Sequence, residues 1–166
     1  MQEFVASFWE TETGADRQEE KEYLSLEIFE RPYMMTVTES DYWKLSPEDQ
    51  ERLMEETTQN CKAIRSHILD TVAQARECGA NGYHTEAEAY LISGLERGRE
   101  LNADKEGMFI TRIVGIACQK AALKEMVRLY TKTDQHSKVA MAQQELVSLE
   151  SEMDEMRAIG AQQGGG

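Results

Sequence analysis

The chain has little proline, little cysteine and no long apolar run, and each of these shortages excludes a class of structure. Its 166 residues include only two prolines, which favours helices because proline removes a backbone donor and disrupts helix interiors. Its three cysteines have no CxxC spacing, so they supply neither a disulfide framework nor a common zinc motif. The longest apolar run, residues 113–118, is far shorter than the roughly 20 residues that span a bilayer.

Basic residues are also scarce, at 18 Lys and Arg against 31 Asp and Glu, which gives a net charge of −13. This balance argues against a nucleic-acid partner, because phosphates require a basic surface. The cysteine pattern indicates a reducing compartment, and the N-terminus has neither the basic nor the apolar region of a signal peptide. We therefore expect a cytoplasmic protein without a membrane span; a trimmed export signal is the alternative that the sequence leaves open.

The acidic excess is concentrated at the N-terminus. Residues 1–56 contain 16 acidic and 5 basic side chains, whereas residues 57–166 contain 15 and 13. Helical periodicity is weak before residue 46, yet aromatic side chains such as Phe8, Trp9 and Trp43 are frequent there, and we expect some of these rings to pack on the helices or on a partner. We predict an irregular acidic aromatic arm over residues 1–45, a helical domain over residues 46–159 and a flexible tail over residues 160–166.

The first helix of the helical domain has clear boundaries in the sequence. Ser46-Pro47 predicts its start, because serine caps the first amide groups and proline suits the first turn. Gly79 and Asn81-Gly82 predict its end, since these residues tolerate a positive φ. Between them, apolar positions recur at spacings of three and four. The predicted buried positions are Leu53, Thr57, Cys61, Ile64, Ile68, Val72 and Ala75.

The second helix is predicted to open at Thr85, with Glu88 completing a capping box. Its buried positions are predicted at Ala87, Leu91, Gly94, Leu95, Gly98 and Leu101. Each mid-helix glycine costs about 1 kcal/mol relative to alanine. We therefore predict that Gly94 and Gly98 lie close to a neighbouring helix.

Two more helices complete the predicted fold. The third, from about Met108 to Lys132, is apolar over a wide arc and is expected to be central. One of its predicted apolar faces contains Phe109, Ile113, Ile116, Leu123, Val127 and Tyr130. The fourth follows Thr133–Gln135, with a narrow apolar seam and an acidic opposite side that is expected to face outward. The sequence thus predicts an all-α protein of four antiparallel helices, arranged as stacked hairpins or as a closed bundle.

Two segments resemble the turns of tetratricopeptide repeats (TPR). Residues 73–87, AQARECGANGYHTEA, place small residues before Tyr83 and then Glu86-Ala87 at the start of a helix. Residues 129–140, LYTKTDQHSKVA, are similar, with Asp134 near the position of the usual glycine. Ala87 and Ala140 are 53 residues apart, longer than the repeat's period of about 34. The resemblance covers about residues 60–150 and implies hairpins that form a protein-binding scaffold, with no catalytic residue.

Motifs for catalysis or metal binding are absent from the sequence. The three histidines, His67, His84 and His136, are single and far apart, and there is no HExxH motif. No phosphate-binding loop, GxGxxG motif or GxSxG motif occurs. We therefore assign no catalytic residue, no metal and no cofactor.

Three arginines are the candidate partner-binding residues. Arg97, Arg99 and Arg112 flank the connection between the second and third helices, and we predict a site for an acidic segment or a C-terminal carboxylate in the groove between those helices. The alternative is that they pair with the acidic arm, or with Glu100 and Glu106. The sequence therefore favours a non-catalytic protein-interaction or scaffold module. A structural homo-oligomer is the alternative, and a small-ligand binder or an enzyme with an unrecognised site is a third; the sequence does not determine the oligomeric state.

Overall fold

The computed structural model describes residues 37–103 and 105–163, with side chains described through residue 159. Within this part of the chain all regular structure is helical, which confirms the all-α prediction. The helices are α1 (Glu39–Tyr42), α2 (Pro47–Ala80), α3 (His84–Ala103), α4 (Phe109–Lys132) and α5 (His136–Gln163). The short helix α1 lies in the last residues of the predicted arm, and residues 1–36 lie outside the described residues.

The boundaries and the buried side of α2 are as predicted. The Ser46 hydroxyl accepts from the Asp49 N–H, Pro47 occupies the first turn, and the helix ends at Ala80. Gly82, with φ of 89°, allows the chain to reverse after the helix. All seven predicted core positions are buried, together with His67, Thr71 and Gly79, which the apolar spacing did not select.

Helix α3 begins earlier than predicted. It starts at His84, so Thr85 lies in the first turn instead of before it, and the predicted capping box is wrong. Glu88 makes long-range contacts instead: its Oε1 accepts from the Tyr130 hydroxyl at 2.8 Å and from Lys138 Nζ at 2.6 Å. The hydrogen bond from Lys138 lowers the pKa of Glu88. The predicted buried positions of α3 are all buried.

Helix α4 is the central helix, as predicted, because it packs against α2, α3 and α5. Its buried side is only partly as expected. Ile116, Leu123 and Tyr130 are buried, but Ile113 is 40% exposed. Polar side chains are buried instead at Thr111, Gln119 and Glu125. The apolar pattern did not reveal these positions, because their burial depends on contacts with other helices.

Helix α5 buries the narrow seam that its spacing predicts. Ala142, Leu149, Met153 and Met156 are buried, while Val139 and Leu146 are partly buried against the same core.

The four long helices form two stacked hairpins, α2/α3 and α4/α5. Helices α2 and α4 run parallel, since Thr57 contacts Met108 near their beginnings and Gly79 contacts Lys132 near their ends. Helices α3 and α5 are likewise parallel, as successive side-chain pairs join residues 88 to 138, 99 to 145 and 102 to 152. Among the described residues, the extensive contacts join α2 to α3, α3 to α4, α4 to α5 and α2 to α4, and α2 and α5 share no comparable interface. The helices therefore form two open layers, not a closed ring.

The turns of the two hairpins have the same hydrogen-bond pattern. In residues 78–83 the Tyr83 N–H donates to the Cys78 carbonyl at 2.9 Å. In residues 130–135 the Gln135 N–H donates to the Tyr130 carbonyl at 2.9 Å. A hydrogen bond of this kind closes the C-terminus of a helix when the residue that follows the helix has a left-handed backbone conformation. The left-handed residue is Gly82 in the first turn and Asp134, with φ of 55°, in the second.

The matching turns are 52 residues apart, from 78 to 130, instead of the 53 expected from the two alanines. Val139, and not Ala140, therefore corresponds to Ala87: the N–H groups of Ala87 and Val139 donate to Tyr83 and Gln135 at equivalent positions. This geometry describes a repeated turn within the chain, and membership of the TPR family stays a prediction.

The segment before α2 caps the start of α4. Thr38 and Gly107 form an isolated antiparallel bridge, and the Phe109 N–H donates to Glu39 Oε2 at 3.0 Å. Met108 provides no side-chain cap for α4, so the Glu39 carboxylate supplies one, at the helix end where a negative charge is favourable.

One aromatic ring of this segment is buried, although the sequence pattern did not select it. Tyr42 is buried beside Leu53 and Met108, whereas Trp43 is 61% exposed and its Nε1 donates to Glu39 Oε1 at 2.9 Å. Phe8 and Trp9 lie outside the described residues, so the expected packing of those rings stays a prediction.

Candidate functional site

The three predicted arginines do not converge on one groove. Arg97 donates to Glu100 Oε2 at 2.7 Å on the same helix, as the alternative interpretation expected. The charge of Arg97 also acts on His67 of α2, whose pKa is lowered to about 4 by burial first and by Arg97 second.

Arg99 and Arg112 face the last helix instead. Arg99 Nη2 donates to Glu145 Oε1 at 2.6 Å. The Arg112 side chain is only 11% exposed. Its Nη2 lies 3.5 Å from Glu152 Oε1, and its Nη1 donates to the Lys105 carbonyl at 3.0 Å. Arg99 and Arg112 therefore contact residues of α5, and the partner site predicted at Arg97, Arg99 and Arg112 stays a prediction.

The Glu152 carboxylate on α5 joins three parts of the structure. It accepts from Lys105 in the loop and from Asn102 at the end of α3, and it pairs with Arg112 on α4. Burial alone would raise the pKa of Glu152, but the hydrogen bonds from Lys105 and Asn102 outweigh it and the pKa is lowered. The expected outward orientation of the acidic side of α5 is accordingly wrong for Glu145 and Glu152.

An open depression adjoins Arg112, but its charges are already balanced. It has a volume of about 470 Å³ and is lined by Lys105 and Arg112 together with Glu152 and Glu155. An incoming carboxylate would have to displace Glu152 from its partners. Because Glu152 is tethered to the same protein, we do not place the candidate site here.

A second basic region lies on the open side of the α2/α4 layer. We call it the basic face and define it by Arg76 on α2 and by Lys124, Arg128 and Lys132 on α4. All four residues are exposed. The three α4 residues follow each other at intervals of four, so they lie along one side of the helix.

One carboxylate organises part of the basic face. Glu125, whose side chain is only 10% exposed, accepts from Arg76 Nη2 at 2.9 Å and from Arg128 Nη1 at 3.1 Å, both at the same oxygen. The hydrogen bond to Glu125 raises the pKa of Arg76. Both guanidinium groups remain largely exposed, at 60% and 68%. Glu125 thus orients two arginines but offsets only one of their charges.

A small depression lies between these basic side chains. Lys132 borders it, and Lys132 Nζ donates to the Gly79 carbonyl at 2.7 Å across the α2/α4 interface. The depression has a volume of about 200 Å³. Its apolar lining consists of Ala75, Gly79, Ala80, Leu91 and Leu129, and its charged lining of Arg76, Glu125, Arg128 and Lys132. We call it the α2/α4 depression.

The sequence contains a signal for this face that the motif-based prediction missed. Lys120, Lys124, Arg128 and Lys132 recur at intervals of four within one helix, and such a stripe is unusual in a chain with a net charge of −13. Lys120 belongs to the edge of the stripe, since it pairs with Glu150 of α5 at 3.3 Å. The contribution of Arg76 could not be read from the sequence, because it depends on the pairing of α2 with α4.

The described residues show neither a metal centre nor a membrane-spanning helix. Between residues 37 and 163, excluding residue 104, no three His, Cys, Asp or Glu side chains are grouped to hold a metal ion. Among the described helices, none combines the length and the apolar character needed to cross a membrane. Comparisons with family models, with curated proteins and with solved structures find no match.

Proposed function

We propose that this protein is a non-catalytic interaction module that binds an acidic protein segment on the basic face. The observation that carries the proposal is the concentration of exposed basic side chains beside an apolar depression, in a protein that is otherwise strongly acidic. The resemblance to TPR hairpins supports the same class of function, and the partner site is moved from Arg97, Arg99 and Arg112 to the α2/α4 layer.

The chemistry of the face specifies the ligand. The exposed guanidinium groups of Arg76 and Arg128 can each bind a carboxylate with two parallel hydrogen bonds. The α2/α4 depression, at about 200 Å³, is smaller than the roughly 300 to 1,000 Å³ of a small-molecule site. It suits one apolar side chain. The expected ligand is therefore a short segment in which acidic residues flank an apolar or aromatic residue.

The test is a binding titration with a defined probe. The probe is a fluorescein-labelled peptide with one phenylalanine between two pairs of glutamates, and its anisotropy is measured against the full chain at low ionic strength. We expect saturable binding that weakens with added salt. The same peptide with glutamine in place of glutamate should bind at least tenfold more weakly.

The matched variants change equal charge at different places. Lys124→Glu with Arg128→Glu should reduce the affinity for the probe at least tenfold, while Arg76 still pairs with Glu125. The control is Lys44→Glu with Arg157→Glu, two exposed residues outside the basic face. Equal loss of binding in both pairs would show a general charge effect and contradict the proposal.

The same samples address the alternative of a structural homo-oligomer. Molecular mass is measured by light scattering over a hundredfold range of protein concentration. A constant monomeric mass is expected for the interaction module. A mass that rises with concentration, without probe binding, would favour the oligomer instead.

A further inference from the structure

We propose that residues 8–12 of the same chain occupy the α2/α4 depression and thereby compete with an acidic partner. The inference rests on the proposed function, because it names the occupant that regulates the same site. Residues 1–36 lie outside the described residues, so the inference depends on their sequence and on the geometry of the face that would receive them.

The N-terminal segment has the charge that the basic face requires. Residues 1–36 contain nine acidic and three basic side chains. The basic face presents four exposed basic side chains, and two of them, Arg76 and Arg128, bind the carboxylate of Glu125. Attraction between the two is strengthened by their covalent connection, since a tethered ligand acts at an effective concentration that can reach the millimolar range.

One part of that segment matches the depression most closely. Residues 8–12, FWETE, place two aromatic rings directly before two glutamates, and the nearest basic residue is Arg17. Residues 27–31, EIFER, also combine an aromatic ring with acidic residues but include Arg31, which would face the arginines of the basic face unfavourably. We therefore assign Trp9 to the apolar depression, with Glu10 and Glu12 beside Arg128 and Lys124.

The connection is long enough for this contact. The described chain begins at Val37, next to Thr38, which pairs with Gly107 at the start of α4. From there to Arg128 is about 30 Å along the helix, at about 1.5 Å per residue. The 27 residues between Trp9 and Val37 can span up to about 90 Å when extended, so the segment can reach the depression of its own molecule.

Tryptophan fluorescence tests the contact directly. The chain contains only Trp9 and Trp43, so Trp43→Phe leaves Trp9 as the single reporter. We expect Trp9 in this 166-residue chain to be protected from acrylamide. Lys124→Glu with Arg128→Glu should raise its quenching constant at least twofold and shift its emission to the red. Adding Glu10→Lys with Glu12→Lys should restore protection.

A variant in the segment itself guards against loss of folding. Glu10→Gln with Glu12→Gln leaves the helical domain unchanged and should likewise expose Trp9. Full exposure of Trp9 in the starting protein, or protection that none of these variants changes, would overturn the proposal. Protection that increases with protein concentration would also overturn it, because the occupant would then be the segment of a second copy.

The peptide probe separates this inference from the proposed function. If the segment competes for the site, Glu10→Gln with Glu12→Gln should tighten probe binding about tenfold. If the starting protein and the Glu10→Gln, Glu12→Gln variant bind the probe equally well, the proposed competition between the N-terminal segment and the partner is overturned. The proposed function itself would still stand. A third result is that Trp9 is protected in a charge-dependent way while the probe binds neither the starting protein nor the Glu10→Gln, Glu12→Gln variant. This result would support the internal contact and contradict the external partner.

Discussion

Helices α3 and α4 approach each other very closely at Gly98, and this contact makes a specific prediction about stability. A Cβ atom added at Gly98 would lie 2.7 Å from Gln119 Cγ, 2.9 Å from the Gln119 backbone nitrogen and 3.0 Å from the Gly115 carbonyl oxygen. The last two are backbone atoms of α4, so the contact can be relieved only by moving one helix away from the other. The Gln119 side chain is also held, since its amide donates to the carbonyls of Gly98 and Gly115.

The magnitude follows from two opposing terms. Alanine is favoured over glycine within a helix by about 1 kcal/mol. Overpacking of a well-packed interface costs about 1 to 3 kcal/mol. We therefore expect Gly98→Ala to lower the free energy of unfolding by about 1 kcal/mol, against the helix propensity, and Gly98→Leu to lower it further.

Gly94 provides the matched control on the same helix. A Cβ atom there would lie 3.6 Å from Ile68 Cγ2, an ordinary contact, so Gly94→Ala should raise the free energy of unfolding by up to about 1 kcal/mol. Urea denaturation followed by far-UV circular dichroism measures both variants, and an unchanged dependence on urea supports a two-state comparison. A Gly98→Ala protein as stable as the parent, or more stable, would refute the inference that close helix contact requires this glycine.

Two further predictions concern single side chains. His67 is buried, and its pKa is about 4 in the folded protein against about 6.5 in the unfolded chain. Between these pH values the unfolded state binds a proton that the folded state does not, so we expect the free energy of unfolding to decrease by about 2 kcal/mol from pH 7 to pH 5. A His67→Gln variant whose stability falls by the same amount over this pH range would contradict the assignment to His67. Replacing Glu39 by alanine removes the cap on the Phe109 N–H and should lower stability by about 1 kcal/mol, as measured by thermal unfolding, whereas Lys44→Ala nearby should have almost no effect.

The sequence determined the features that depend on neighbouring residues in the chain. Ser46-Pro47 and Gly82 defined the ends of α2, because capping and positive φ are local properties. The seam of α5 was equally clear, since apolar spacing within one helix selects the side that is buried. The expectation that Gly98 meets a neighbouring helix also came from a local cost, the low helix propensity of glycine.

The tertiary structure decided which charges meet and which surface remains open. Arg99 pairs with Glu145 and Arg76 with Glu125, partners 46 and 49 residues apart, and no spacing rule connects residues so distant. Burial of Gln119 beside Gly98 likewise requires two helices to be in register. For this reason the candidate site lies on the basic face and not at Arg97, Arg99 and Arg112. Long charged side chains pair with the partners that helix packing brings within reach, and the same packing leaves the basic face exposed.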